Sequence, residues 1–197
     1  MRYIVIFLVL ISTTCFAKAD IKSLLENKLK VEVRPYSTTD FGRDRNSNAI
    51  SFITPEKGSK LALIVVRDSI PDDYLAFIGT TRNLSKDNIN GVEIVIIKSK
   101  DKLDILRTSK SDGINYDITN ELVVSKIREW DKLYGVDIWQ AESDTIQMKF
   151  ETLPKDLNAF SKEVYKFCPD IVDQGSGDIN HISQYLKDTK QVYLWWD

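Results

Sequence analysis

The residues best suited to chemistry lie close together in segment 167–181, which reads F-C-P-D-I-V-D-Q-G-S-G-D-I-N-H. Its carboxylates and the chain's single histidine could hold a hard cation such as calcium, which prefers oxygen ligands. The candidate metal ligands are Asp170, Asp173, Asp178 and His181. Their spacing differs from the helix–loop–helix calcium signature, in which acids alternate and a glutamate ends the loop. In the alternative interpretation, Asp178 caps a helix while Gly175 and Gly177 form a turn.

The same segment contains a possible nucleophile and base, Cys168 and His181. They are separated by a predicted tight turn, so contact between them is possible. Cys168, however, ends an apolar helix face, where a free cysteine usually behaves as a small buried hydrophobe. No third orienting group and no oxyanion hole can be identified, and His181 precedes an inward-facing residue. The sequence therefore identifies no catalytic constellation, and the catalytic residues are unknown.

An anion-binding role for residues 173–177 is the third possibility, because backbone N–H groups at a helix start can face a phosphate. Asp173 and Asp178 would repel that phosphate, and no glycine-rich nucleotide motif is present. A turn alone does not require Asp170, Asp173 or Gln174. We therefore keep these three residues as candidates for ligand or partner binding.

The sequence ends with W195-W-D197. On a strand the two tryptophans point to opposite faces, so one can join the core while the other faces solvent or a partner. An exposed tryptophan is typical of a binding hot spot; in the alternative, both rings pack internally. The complete set of candidate binding residues is Asp170, Asp173, Gln174, Trp195, Trp196 and Asp197.

The first 19 residues are typical of a secretory signal peptide. Arg2 gives the positive start, residues 4–11 form a short apolar core, and A17-K-A19 gives small residues at the cleavage positions. This predicts a secreted or periplasmic protein cleaved after Ala19. Two alternatives are a buried N-terminal helix or strand and a lipoprotein acylated at Cys15.

Cleavage would remove Arg2 and Lys18, so the mature chain would carry 25 basic against 29 acidic residues, a charge of −4. A mildly acidic surface argues against nucleic acid as a partner. No later apolar run is long enough to cross a membrane. With Cys168 as the only remaining cysteine, neither an intramolecular disulfide nor a cysteine-rich zinc site can form. No cofactor is predicted, and a divalent cation remains the alternative.

Apolar periodicity predicts helices at 20–30, 71–78, 119–134, 155–167 and 178–188. It predicts strands at 31–34, 49–54, 61–66, 92–97, 136–141, 145–151 and 191–196. The continuous apolar run 61–66 favours a central strand buried on both faces. Pro71 followed by two acids favours the first turn of a helix. Residues 36–48 are predicted to be a loop, N90-G91 a turn, and 101–107 is compatible with either element.

Mixed elements and the predicted 136–151 hairpin indicate the α+β class, with a mixed or antiparallel sheet and helices packed on it. The sequence is compatible with a single compact domain or two subdomains. We divide it into a signal peptide (1–19), an N-terminal α+β region (20–99) and a C-terminal α+β domain (100–197).

The C-terminal half resembles a known family. The strings F167-C-P-D-I-V-D-Q-G-S-G-D178 and L194-W-W-D197 are similar to the C-terminal signature of the bacterial family called domain of unknown function number 4253. The segments 103–108, 115–117 and 159–167 agree with it. The resemblance covers about residues 100–197. It implies a compact α+β domain and assigns no activity.

The functional hypothesis is an exported, periplasmic, non-catalytic protein that binds another macromolecule. One concrete version is an immunity or inhibitor protein that neutralises a toxin. The alternative is a metal-dependent hydrolase that uses Asp170, Asp173, Asp178 and His181. A third hypothesis is a structural envelope lipoprotein anchored through Cys15.

Overall fold

The computed structural model describes residues 13–38, 48–80 and 91–197, with side chains from residue 20 onward. The chain divides into two compact units, residues 1–33 and residues 34–197.

The first unit contains helix α1 (Thr13–Leu29), which confirms the helix predicted at 20–30 and continues through the predicted cleavage position. Ile21 and Leu25 are buried, as the predicted apolar stripe requires. The apolar run 4–11 and the side chain of Cys15 lie outside the described residues. Within the described residues, none of the helices combines the length and the apolar character needed to cross a lipid bilayer.

The second unit is built on a single sheet. Its strands are β1 (Arg34–Pro35), β2 (Ala49–Thr54), β3 (Tyr74–Ile78), β4 (Val92–Lys98), β5 (Val136–Ala141), β6 (Thr145–Phe150) and β7 (Gln191–Trp195). Its helices are α2 (Ser59–Arg67), α3 (Asp104–Ser109), α4 (Asn120–Tyr134), α5 (Leu157–Phe167) and α6 (Asn180–Thr189). A short 3₁₀ turn (Ile114–Tyr116) precedes α4, and a π-helical turn (Ile171–Ser176) precedes α6.

The strand order is β1-β2-β4-β3-β5-β6-β7. Neighbouring strands are antiparallel except β3 and β5, which pair in parallel at Ile78 and Gln140. The sheet is therefore mixed, and the α+β class is confirmed. Arg67 bridges the parallel junction: its Nε donates to Ala76 O at 2.9 Å and its Nη2 donates to Ile138 O at 2.7 Å.

The main core lies where α3, α4 and α5 pack against the sheet. Trp130 of α4 is fully buried, and its ring meets Phe160, Phe150 and Phe167 edge-on at centroid distances of 5.2, 6.3 and 5.9 Å. Its indole N–H donates to Glu163 Oε1 at 2.8 Å. Such a buried aromatic cluster stabilises the fold through its area and through its edge-to-face geometry.

Most predicted elements are confirmed. The strands at 49–54 and 92–97, the helix at 119–134 and the hairpin at 136–151 lie where periodicity placed them. The C-terminal helices and the last strand also agree, within about two residues at each end. The ambiguous segment is helical, as α3. In the predicted loop, residues 39–47 lie outside the described residues, as does Asn90 of the predicted turn.

Two predictions in the N-terminal half are wrong. Residues 61–66 form α2 rather than a strand, and residues 74–78 form β3 rather than a helix. Leu63 and Val66 are buried while Leu61 and Ile64 are 66% and 54% exposed, which is a helical stripe. A short apolar run does not distinguish a helix from a buried strand.

The strand predicted at 31–34 is wrong for residues 31–33, because only Arg34 and Pro35 pair with β2. Next to this short edge strand, the buried carboxylate of Glu93 accepts hydrogen bonds from Arg34 Nε at 2.8 Å and from Ser51 Oγ at 3.1 Å. A buried charge requires such partners.

Candidate functional site

The segment after α5 is a helical turn rather than an open loop. Cys168 ends α5, and the N–H groups of Val172 and Asp173 both donate to Pro169 O at 2.9 Å. Gly177 ends the turn at φ 69°, a left-handed conformation that favours glycine. Gly175, which we expected to need the same freedom, does not have positive φ.

Asp170 is the centre of a buried cluster. Its side chain is 1% exposed. Its carboxylate accepts hydrogen bonds from the hydroxyl of Tyr116, from Gln174 Nε2 at 2.8 Å and from the backbone N–H of Asp197 at 2.9 Å. Asn115 Nδ2 also donates to Asp197 O. Three of the candidate binding residues, Asp170, Gln174 and Asp197, are therefore brought together.

The electrostatics of this cluster follow from its donors. Burial alone would raise the pKa of Asp170, but the donors from Tyr116, Asp197 and Gln174 outweigh it, and the pKa lies below its ordinary value. The hydrogen bond to Asp170 raises the pKa of Tyr116 to about 12, so the phenol keeps the proton that it donates. Asp170 thus acts as a charged acceptor that ties three parts of the chain together.

Tyr116 is a residue that sequence reasoning missed. It lies in the 3₁₀ turn, 54 positions before Asp170, and no local pattern links the two. The string N115-Y-D117 agrees with the family signature, but its residue types indicate no contact with Asp170. Its role becomes visible only when the fold brings this turn against residue 170.

The four candidate metal ligands do not converge. Asp173 accepts from Tyr165 Oη at 2.9 Å, whereas Asp178 accepts from the N–H of Asn180, the first residue of α6, at 2.9 Å. His181 is exposed. Among the described residues, no group of three or more His, Cys, Asp or Glu side chains is placed to hold a metal ion.

The environment of the Cys168 thiol disfavours its reaction as a nucleophile. Its thiol is buried and donates to Trp195 O at 3.0 Å, while its sulfur accepts from Trp195 N–H at 3.2 Å. Burial raises the pKa of Cys168 to about 12, which disfavours the nucleophilic thiolate. Both of these hydrogen bonds link the sulfur to Trp195 and neither links it to His181, so the structure does not show the nucleophile–base pair that the sequence left open.

The two C-terminal tryptophans point to opposite faces, as predicted. Trp196 is 2% exposed, meets the Phe167 ring edge-on at 5.6 Å and donates from Nε1 to Phe167 O at 3.3 Å. A Cβ placed on Gly113 would lie 2.8 Å from the Trp196 ring, so glycine is required for this close approach. Trp195 is half-buried on the other face of β7.

That other face of β5, β6 and β7 carries a group of aromatic and amide side chains, which we call the aromatic face. It comprises Trp139, Gln140, Gln147, Tyr193 and Trp195. A β-bulge between Ile138 and Gln140 places the side chains of both residues 139 and 140 on this side. Sequence alternation indicates this face for β6 and β7, but the bulge that adds Trp139 has no local signal.

Side-chain contacts order the aromatic face. Gln147 Nε2 donates to Gln140 Oε1 at 3.0 Å, and the Lys60 ammonium lies 3.9 Å from the centre of the Trp139 ring. This cation–π contact holds the Trp139 ring at the border of α2. Tyr193 is 39% exposed.

The aromatic face continues into a cavity of about 430 Å³, which we call the edge groove. It lies between β7 and α6, and its lining includes Gln147, His181, Ile182, Tyr185, Gln191 and Tyr193. Tyr185 Oη lies 3.3 Å from Gln191 Oε1 and donates to it. Among the described residues that line the groove are aromatic and amide side chains, and His181 is the only one of them with a titratable nitrogen.

Fold and site together define an α+β protein with one mixed sheet, a buried aspartate cluster and a partly exposed aromatic face. Residues 93–197 match the family described as Domain of unknown function (DUF4253), and the chain belongs to that family. The family predicted from the C-terminal signature is therefore confirmed. Comparison with curated proteins and with solved structures finds no match.

Proposed function

We propose that this chain is an exported, non-catalytic protein that binds another macromolecule in the periplasm through its aromatic face. The observation that carries the proposal is the convergence of Trp139, Tyr193 and Trp195 on one side of the sheet. Tryptophan and tyrosine are enriched in the central, energetically dominant positions of protein interfaces.

The composition of the aromatic face supports a protein partner. Rigid rings contribute contact area at a small cost in side-chain entropy, and the amides of Gln140 and Gln147 can hydrogen-bond to a partner's backbone. Trp195 is the candidate hot-spot residue that the sequence analysis identified.

Binding, rather than catalysis, is also supported by the state of the residues best suited to chemistry. Asp170 is bonded to three donors, and the Cys168 thiol is buried against Trp195. In its narrowest form, the proposal is an immunity or inhibitor protein whose aromatic face covers a toxin.

The test is partner capture by cross-linking in cells that naturally produce the protein, followed by measurement of affinity for the captured partner. Trp195→Ala should weaken binding about 30-fold, the effect of a hot-spot side chain worth about 2 kcal/mol. Leu133→Ala is the matched control, because Leu133 is a 60% exposed apolar residue on α4. Equal affinities for the two variants would contradict the proposal.

Export has its own test. The protein recovered from the periplasmic fraction should begin at Asp20, and Cys15→Ser should leave its location unchanged. Acyl labelling that disappears in Cys15→Ser would instead establish the lipoprotein alternative.

A further inference from the structure

The free edge of β7 is blocked at both ends and open in the middle. In the β6–β7 ladder, Trp196 N–H donates to Asp144 O at 3.0 Å and Phe150 N–H donates to Lys190 O at 2.8 Å. These bonds set the alternation of an antiparallel pair. The N–H and C=O groups of residues 191, 193 and 195 consequently point away from β6, towards the free edge.

The ends of this edge have internal partners. Cys168 Sγ hydrogen-bonds to both the N–H and the C=O of Trp195. Thr189 Oγ1 accepts from the N–H of Gln191 at 3.0 Å. Among the residues that the structure describes, none hydrogen-bonds to the N–H or C=O of Tyr193 or to the C=O of Gln191. Three consecutive main-chain groups therefore remain available.

These open groups border the edge groove. Gln191 and Tyr193 line it from β7, and Ile182 and Tyr185 line it from α6. Its volume of about 430 Å³ is enough for a few residues in extended conformation. Unpaired strand edges are templates for another strand, and proteins usually protect them. In β7, the backbone groups with internal hydrogen-bond partners lie at the two ends of the edge, and the groups that border the edge groove have none among the described residues.

We propose that the edge groove binds a short extended peptide segment of a partner protein, which adds to β7 by main-chain hydrogen bonds at Gln191 and Tyr193. This inference rests on the proposed function, because the peptide would belong to the partner that the aromatic face engages. Such strand addition obtains affinity from the main chain and specificity from alternate side chains.

A second copy of the chain fits this edge less well than a peptide does. The β7 strand of a second copy carries its own α6 residues, Ile182 and Tyr185, beside the same edge. Two such edges would bring these side chains against one another. A slender segment without flanking helices avoids that conflict, so we assign the groove to a peptide.

The probe is a peptide selected from a phage-displayed library of random nonapeptides on the full chain. It is then synthesised with a single N-methyl group at each position in turn. Only two peptide N–H groups, separated by one residue, can reach the carbonyls of Gln191 and Tyr193. N-methylation should weaken binding about tenfold or more at two positions and leave the position between them unaffected.

The protein side gives a second measurement. On peptide binding, hydrogen exchange at the Tyr193 amide should slow at least about tenfold, whereas the Val192 amide, already paired with Met148, should not change. Tyr193→Pro removes the edge N–H at a position where an edge strand tolerates proline, and it should abolish binding. Tyr193→Phe keeps that N–H and should bind the peptide more tightly than Tyr193→Pro does.

Failure of this inference is distinguishable from failure of the proposed function. Failure to enrich any peptide or uniform tolerance of N-methylation would each overturn strand addition. A dimer that dissociates when peptide is added would overturn the choice of occupant and assign the edge to a second copy of the chain. If the captured partner still requires Trp195, the aromatic-face proposal stands without it. If the N-methyl pattern appears but the partner ignores Trp195→Ala, the edge site stands and the aromatic-face proposal fails.

Discussion

The hydroxyl of Tyr116 donates a hydrogen bond to the buried carboxylate of Asp170, joining positions 54 residues apart. Through the same carboxylate, the 3₁₀ turn, the π-helical turn and the backbone of Asp197 are held together. The cluster includes the backbone of Asp197, two residues beyond the end of β7, the strand that carries Tyr193 and Trp195. Its integrity should therefore determine the order of the strand that the proposed functions use.

Replacing Asp170 with Asn should lower the free energy of unfolding by about 2 kcal/mol. The neutral amide carries no negative charge for the three hydrogen-bond donors around it to stabilise. Urea unfolding followed by circular dichroism measures this change. Asp173→Asn, at an exposed aspartate, is the control and should change stability by less than about 0.5 kcal/mol. Equal losses in the two variants would show that the buried cluster has no special role.

Stability should depend on pH through Asp170. Because its folded-state pKa lies below its ordinary value, the unfolded chain takes up the proton first as the pH falls. The stabilisation is then fully present above the ordinary aspartate pKa of about 4 and is lost as the pH falls below it and through the lower folded-state pKa. The difference in unfolding free energy between wild type and Asp170→Asn should shrink over that window. A difference that stays constant down to pH 3 would contradict the assignment.

Cys168 should resist alkylation in the folded protein. Its thiol is buried and its pKa is raised to about 12, so little thiolate is available at pH 8. Iodoacetamide labelling of a Cys15→Ser chain, followed by mass spectrometry, should give almost no modification until guanidinium chloride is added. Rapid labelling of the native chain would mean that the thiol is reactive after all.

Gly113→Ala should destabilise the fold by about 1–3 kcal/mol, because the new methyl group would meet the Trp196 ring at 2.8 Å. Tryptophan fluorescence during urea unfolding reports both the stability and the displacement of the ring. Gly175→Ala is the matched control: its Cβ would lie 3.4 Å from Asp170 O, close to an ordinary contact, and its φ is not positive. If Gly113→Ala proves no more destabilising than this control, the packing explanation is wrong.

Much of the fold could be predicted from sequence where one physical signal dominates. The stripe of Val123, Ile127 and Trp130 predicted α4, and alternation of apolar and polar residues predicted β5 and β6. At residues 61–66 and 74–78 the predicted strand is a helix and the predicted helix is a strand, for a physical reason. Both segments are short and apolar, and only their pairing with β4 and β5 determines which of them becomes the strand.

The candidate site was predictable only in part. Sequence reasoning identified Asp170 and Gln174 as residues that a turn does not require, and the two side chains do bond to each other. Their partner Tyr116 comes from a distant turn, and Trp139 reaches the aromatic face through a bulge. Long-range contacts and bulges are properties of the assembled sheet, so a local pattern does not contain them.

The parallel junction between β3 and β5 has a consequence for modularity. The family match begins at residue 93, within β4, whereas β3, which separates β4 from β5, ends at Ile78. A fragment limited to the matched residues would lack β3, the strand that lies between β4 and β5 in the sheet. The edges of β4 and β5 that pair with β3 would then be unpaired. The sheet of the family region is therefore completed by a strand from outside that region.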